Sequence, residues 1–198
     1  MPPISTHMHF GKIFIENSED EIDIRSFILG MVSPDTFSDD DTFEEFHYLD
    51  EDGNIDVRDF YEKFDLKKLN FQQSSFVLGY YSHLWFDEYY KFNASRLTVH
   101  NGHDLPDDKL SIAVKNTLKY YDAKAVGNYY DNIKHEINEY KFNVDLKEIK
   151  HISIKKAKEI LNEYFKDLIP KNIYPELIEE EEYMNFIRKS CSKIIKSL

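Results

Sequence analysis

Residues 71–92 read FQQSSFVLGYYSHLWFDEYYKF. The run is long, carries few charges and is rich in aromatic residues, so it predicts a helix at the centre of the molecule, not an amphipathic surface helix. His83 and Asp87 stand four residues apart in it, which places both side chains on one helical face. Phe76, Gly79, Tyr80 and Tyr90 fall on the same or adjacent faces, so the pair points inward. An ionised carboxylate there is costly unless something compensates it. Two readings stand: a His–Asp hydrogen bond inside a tyrosine-rich core, and a pair of ligands converging on one cation.

Working outward, residues 5–17 begin with the potential caps Ser5 and Thr6 and form a first helix that carries His7. Residues 21–32 follow with the apolar stripe Ile24, Phe27, Ile28 and Met31, which Ser33-Pro34 stops, so that Asp35 emerges just past a helix end. Residues 36–55 read as a loop anchored by Phe43, Phe46 and His47, and 56–65 as a short helix. Residues 93–107 are an irregular connection; further helices are expected at 107–121, 124–141, 153–167 and 175–196. No internal repeat or low-complexity linker divides the chain. The expectation is a single all-α domain over 1–198, a multi-helix bundle with its metal-type residues in 1–92 and a helical C-terminal half from 107 to 198.

The 198 residues carry a formal charge of −12, which argues against a duplex nucleic-acid partner, since phosphate neutralisation needs clustered Lys and Arg. Fourteen tyrosines and 15 phenylalanines predict an aromatic interior. The lone Cys191 excludes an internal disulfide and a cysteine-rich zinc ribbon, so a metal here must use His, Asp and Glu. No stretch of about 18 apolar residues suggests a transmembrane segment, and the opening MPPISTHMHFGKIF does not read as a secretory signal. A cytoplasmic location is the expectation.

Four motifs then resemble a known family. They are Thr6-His7 followed by Phe10-Gly11-Lys12, the run Phe27 to Asp35 (FILGMVSPD), Phe46-His47, and Leu78 to Asp87 (LGYYSHLWFD). In order and approximate interval they are similar to the zinc-dependent phospholipase C and S1/P1 nuclease-like proteins, particularly the small bacterial members. The resemblance covers about the first ninety residues. It implies an all-α fold of the phospholipase C/P1 nuclease type and one or two zinc ions. Asp35, His47 and His83 would ligate one ion, Asp87 would complete or bridge it, and His7 would serve an adjacent one.

The chain departs from the family at Tyr90-Lys91, where phospholipase C relatives place another His, and at Met1, where secreted relatives use the N-terminal residue as a ligand. His135 and Glu139 have ligand spacing but read as an exposed helical face, so no third metal is assigned.

The implied chemistry is hydrolysis of a small-molecule or lipid phosphoester, with Asp35 as the catalytic carboxylate; a non-catalytic, metal-stabilised protein of the same fold is the alternative. Other motifs read as structure. In Asp50 to Asp56 the register of a calcium loop fails, because Gly53 and Tyr61 stand at the wrong positions. His103-Asp104 reads as a surface turn, His9 and His151 as histidines without partners, and Glu179–Glu182 as a solvated helical face.

Overall fold

A computed structural model describes residues 2–100, 106–149, 151–167 and 169–198. The chain is 72% helical. Among the described residues there is no β-strand, only an isolated bridge between Leu49 and Ile55. The helices are α1 (Ile4–Asn17), α2 (Ile24–Val32), α3 (Asp40–His47), α4 (Val57–Glu62), α5 (Phe71–Asn93), α6 (Asp107–Glu139), α7 (Ile154–Tyr164) and α8 (Glu180–Ile195). None is long and apolar enough to cross a membrane among the described residues.

The crossing of α2 and α5 organises the rest. A Cβ added to Gly30 would lie 2.0 Å from the Phe76 carbonyl oxygen, and one added to Gly79 would lie 2.0 Å from that of Phe27. The two backbones therefore touch through reciprocal glycines, the geometry of Cα–H···O contacts, and no side chain fits between them. Polar ties fix the register at the start of both helices. The Asp23 carboxylate caps α2 by accepting from Ser26 N–H (2.9 Å), and Asp23 N–H donates to Ser75 Oγ at the start of α5 (2.9 Å). Asn70 and Gln73 close a capping box on α5. At the far end of α2, Ser33 Oγ donates to the Leu29 carbonyl (2.7 Å) and Pro34 opens a 3-10 turn over Ser33–Thr36 that carries Asp35.

Two apolar clusters flank this crossing. One gathers Met8, Ile28, Phe76, Tyr80, Leu84 and Tyr130; the other gathers Phe10, Phe14, Phe27, Phe86, Tyr183 and Ile187. Helices α1, α2 and α5 supply both clusters, so side chains on the faces between them lie in the deepest part of the molecule.

The structure corrects two sequence expectations. Within 36–55, Asp40–His47 is helical, because Asp39 and Thr42 form a capping box in which Thr42 N–H donates to Asp39 Oδ1 (2.9 Å). Tyr48, at φ 53°, ends that helix, and its neighbour His47 is held by α3, not by a loop. The two helices expected at 107–121 and 124–141 are one helix of 33 residues. Asp122, in the gap between them, turns its carboxylate into the core instead of competing for the backbone.

Alanine at Gly30 or Gly79 is expected to cost about 3 kcal/mol or more in urea unfolding, because the clash is with backbone. Gly11→Ala, whose new methyl would meet the Met31 and Phe27 side chains at 3.2 and 3.3 Å, is expected to be nearly neutral. Burial pushes the Cys191 thiol up from 9.0 to about 12. The protonated thiol is thus the form the fold favours: its contribution to stability is complete below pH 9.0 and is lost as pH rises toward 12. At pH 8 Cys191 should react with a disulfide reagent only after unfolding.

Candidate metal centre

His7 of α1, Asp35 of the 3-10 turn, His47 at the end of α3, and His83 and Asp87 of α5 come together, although the sequence scatters them over some eighty positions. Two overlapping sets of ligand atoms lie within 4.8 Å of one another, His7–His83–Asp87 and Asp35–His47–His83. The imidazoles of His7 and His83 stack with centroids 3.8 Å apart and planes 8° from parallel. Their Nε2 atoms sit 3.2 Å from Asp87 Oδ1 and Oδ2 respectively. His47 Nε2 lies 3.7 Å from Asp87 Oδ2 and 3.8 Å from Asp35 Oδ1.

Backbone carbonyls set the tautomers. His83 Nδ1 is 2.7 Å from the Met31 carbonyl oxygen and His47 Nδ1 is 3.0 Å from that of Phe43, so each Nδ1–H donates there and each Nε2 presents its lone pair to the centre. The short helix α3 thus does two things at once. It positions His47 through the Asp39 cap, and its Phe43 carbonyl orients the ring one turn later. Tyr80 OH anchors the end of α3 to α5 by donating to the Phe46 carbonyl (2.6 Å).

The centre is dry. The side chains of His7, His47, His83 and Asp87 are at most 1% exposed, and Asp35, at 15%, is the donor that reaches solvent. Both nitrogens of His7, Nε2 of His47 and His83, and both oxygens of Asp87 are enclosed without a hydrogen-bond partner, the 3.2 Å approaches being out of line for donation. Each such atom costs about 1–3 kcal/mol if left bare. A cation contacting the three Nε2 atoms and the Asp87 oxygens could remove that cost for them, and three imidazoles with two carboxylates are a donor set that suits zinc. Since His83 keeps a single free lone pair, it can serve only one ion; Asp87, with one oxygen toward His7 and the other toward His83 and His47, is the residue able to bridge two.

The local electrostatics match this reading. Burial lowers the His7 pKa, helped by His83, and pushes His47 down to about 3, so both rings are neutral, as ligands must be. Burial raises the carboxyl of Asp35. Burial acts the same way on Asp87, but the neighbouring His83 and His7 outweigh it and hold that carboxylate ionised. Burial pulls the His83 pKa down, but Asp87 and Asp35 together raise it above its ordinary value.

The remaining sequence candidates lie elsewhere. His135 and Glu139 are exposed near the end of α6. The acidic turn at Asp50 spends its Oδ1 on the Asp52 and Asn54 N–H groups, and Lys91 Nζ docks on Gly53 and Asn54, so its cation is a lysine. His103-Asp104 and Met1 fall outside the described residues.

One buried site escaped the sequence reading. His9, expected to lack a partner, is buried with Nδ1 3.0 Å from Asp122 Oδ1. Asp122 also accepts from Ser5 (3.2 Å), Thr6 (2.5 Å) and Tyr183 (2.9 Å), tying α1, α6 and α8 together. An aspartate set among Tyr120, Tyr121 and Ala123 was the available signal. His151, likewise expected to be unpartnered, approaches Glu45 at 3.6 Å.

No family model matches this chain, and no match is found among curated proteins or solved structures. Zinc should raise the melting temperature of wild type by several degrees in thermal scans, since an ion bound only to the folded state stabilises by mass action. His83→Ala should abolish that rise.

Proposed function

We propose that this chain is a zinc-dependent hydrolase of phosphoesters, similar in its centre to the phospholipase C-like proteins whose motifs its first ninety residues resemble. The observation that carries the proposal is the convergence of enclosed donor atoms on His7, His47, His83 and Asp87 with Asp35 at the solvent edge. Asp35, His47, His83 and Asp87 would hold one ion, and Asp87 with His7 a second. A bound divalent ion supplies a lowered pKa for water and positive charge for phosphoryl oxygens.

The protein's own residues do the rest. His47 and His83 are held in register by the Phe43 and Met31 carbonyls, the dry wall of Phe10 and Phe86 behind His7 excludes bulk water, and an Asp35 oxygen at the open edge would take a proton from water as the water oxygen bonds to phosphorus and the P–O bond to the alcohol breaks, the alcohol leaving to solvent with a proton. Substrate approaches on the Asp35 side, beside α7, where Lys156 Nζ donates to the Phe37 carbonyl (3.1 Å).

A second reading is a metal-stabilised protein without catalysis. What favours it is enclosure: four of the five donor side chains are at most 1% exposed, whereas a catalytic zinc needs an open position.

Purified, tag-free protein should carry zinc by plasma mass spectrometry. It should also cleave bis-p-nitrophenyl phosphate, with activity removed by a chelator and restored by zinc. Asp35→Asn should lower turnover about 100-fold or more, while His100→Ala should leave both zinc and turnover unchanged. Zinc without turnover on any phosphoester would favour the structural reading; absence of zinc after reconstitution would overturn both.

A further inference from the structure

We propose that Asp122 is a positioning residue of the metal centre: through Ser5, Thr6 and His9 it holds α1 at the one rotation and height that bring the His7 ring to Asp87. The inference rests on the reading of that centre as holding an ion at His7 and Asp87. His47 and His83 are each oriented at the ring, by hydrogen bonds from Nδ1 to the Phe43 and Met31 carbonyls. His7 has no such bond. Its Nδ1 is enclosed without a partner, and its ring contacts are a face stacked on His83 and an edge approach to Phe86. Ligating histidines are ordinarily oriented by a hydrogen bond at the second nitrogen, so the orientation of His7 has to be supplied by its helix.

The residues beside His7 supply it. Ser5 Oγ and Thr6 Oγ1 donate to Asp122 Oδ2 (3.2 and 2.5 Å), and His9 Nδ1–H donates to Oδ1 (3.0 Å). Ser5 and His9 are one turn apart, about 6 Å along the axis, and Thr6 projects about 100° away from Ser5. Bonds separated in both height and direction restrain sliding along the axis and rotation about it, which one bond cannot do. The carboxylate is a fixed point, because it stands on α6 and takes its fourth bond from Tyr183 of α8 (2.9 Å). Asp122, Ser5 and Thr6 have no exposed surface and His9 is 3% exposed, so water does not compete for these bonds.

The lever is long enough to matter. An imidazole nitrogen about 6 Å from the helix axis moves about 1 Å for a roll of about 10°, and a ligand set has to hold its geometry within about 0.5 Å. A buried carboxylate is costly to desolvate, and apolar side chains of similar volume often join helices as stably. Direction is what the carboxylate adds. Asp122 is to His7 what the two carbonyls are to His47 and His83, acting through the backbone of α1 where they act on the ring.

The test is a zinc titration against a chromophoric chelator, read as the affinity of each ion, for wild type, His7→Ala, Asp122→Asn and the double variant. Wild type should bind one ion that His7→Ala removes and one that it leaves. Asp122→Asn should weaken the His7-dependent ion about 10-fold or more and the other by less than about twofold. In the His7→Ala background it should change nothing, since its effect passes through His7. A merely structural aspartate would lower the melting temperature and leave both affinities alone, or weaken both alike; either result overturns the proposal and leaves the centre in place. Zinc binding that His7→Ala does not alter would also overturn it, and absence of zinc would overturn it together with the centre. Should Asp122→Asn fail to fold, Thr6→Val, which deletes one of the three bonds and keeps the branched shape, should weaken the His7-dependent ion several-fold. An unchanged ion in that variant would defeat the proposal.

Discussion

The contact between Gly30 and Gly79 is the constraint from which the rest follows. With each glycine pressed on the backbone of the other helix, α2 and α5 have one separation available, and the bond from Asp23 N–H to Ser75 Oγ helps to hold their register. That register puts the Met31 carbonyl against His83 Nδ1 and delivers the end of α2, with its Ser33-Pro34 turn, beside the next turns of α5. Asp35 and His83 meet because the helices cannot slide. A looser crossing built on alanine or leucine would tolerate shifts of a fraction of an ångström, and a ligand set is intolerant of shifts of that size.

The interior holds two buried aspartates that are treated in opposite ways. Asp122 receives four donors, one for each lone pair it offers, and needs nothing more; it joins three helices as a polar rivet. Asp87 sits among three imidazoles with neither oxygen properly hydrogen-bonded. The Nε2 atoms of His7, His47 and His83 and both Asp87 oxygens lie there without hydrogen-bond partners, each at a cost of about 1–3 kcal/mol if left bare.

Where the sequence was legible, the signal was spacing on one helix or a residue that stops one. His83 and Asp87 share a face of α5 because of their four-residue interval, and Asp35 could be placed after a helix because Ser33-Pro34 ends it. The helical class and the inward face of α5 followed from the same patterns. What could not be read was pairing across long separations. Asp122 lies 113 residues from His9 and 116 from Thr6, and no local pattern reports such a contact. The helix at Asp40–His47 was hidden for a different reason: its acidic, turn-forming residues have low intrinsic propensity, and a capping box with threonine at its third position overrides that propensity. The continuity of α6 was missed because an aspartate in mid-helix looks like a boundary unless its side chain has a buried partner.

His7 and His9 show how one short motif can serve both faces of a helix. Two residues apart on α1, they point in directions about 200° apart around its axis, one ring into the stack with His83 and the other toward Asp122 and α8. Helix α1 is thus pinned on one side by a centre whose donors call for a cation, and on the other by a fully satisfied carboxylate network. The second side is complete without metal. Helix α1 can therefore keep its place when the inner centre is empty, and His7 can remain beside His83 and Asp87 for the ion to find. A preformed donor set of this kind could take up an ion without waiting for the chain to fold around it, unlike small zinc domains that are unfolded until the ion arrives.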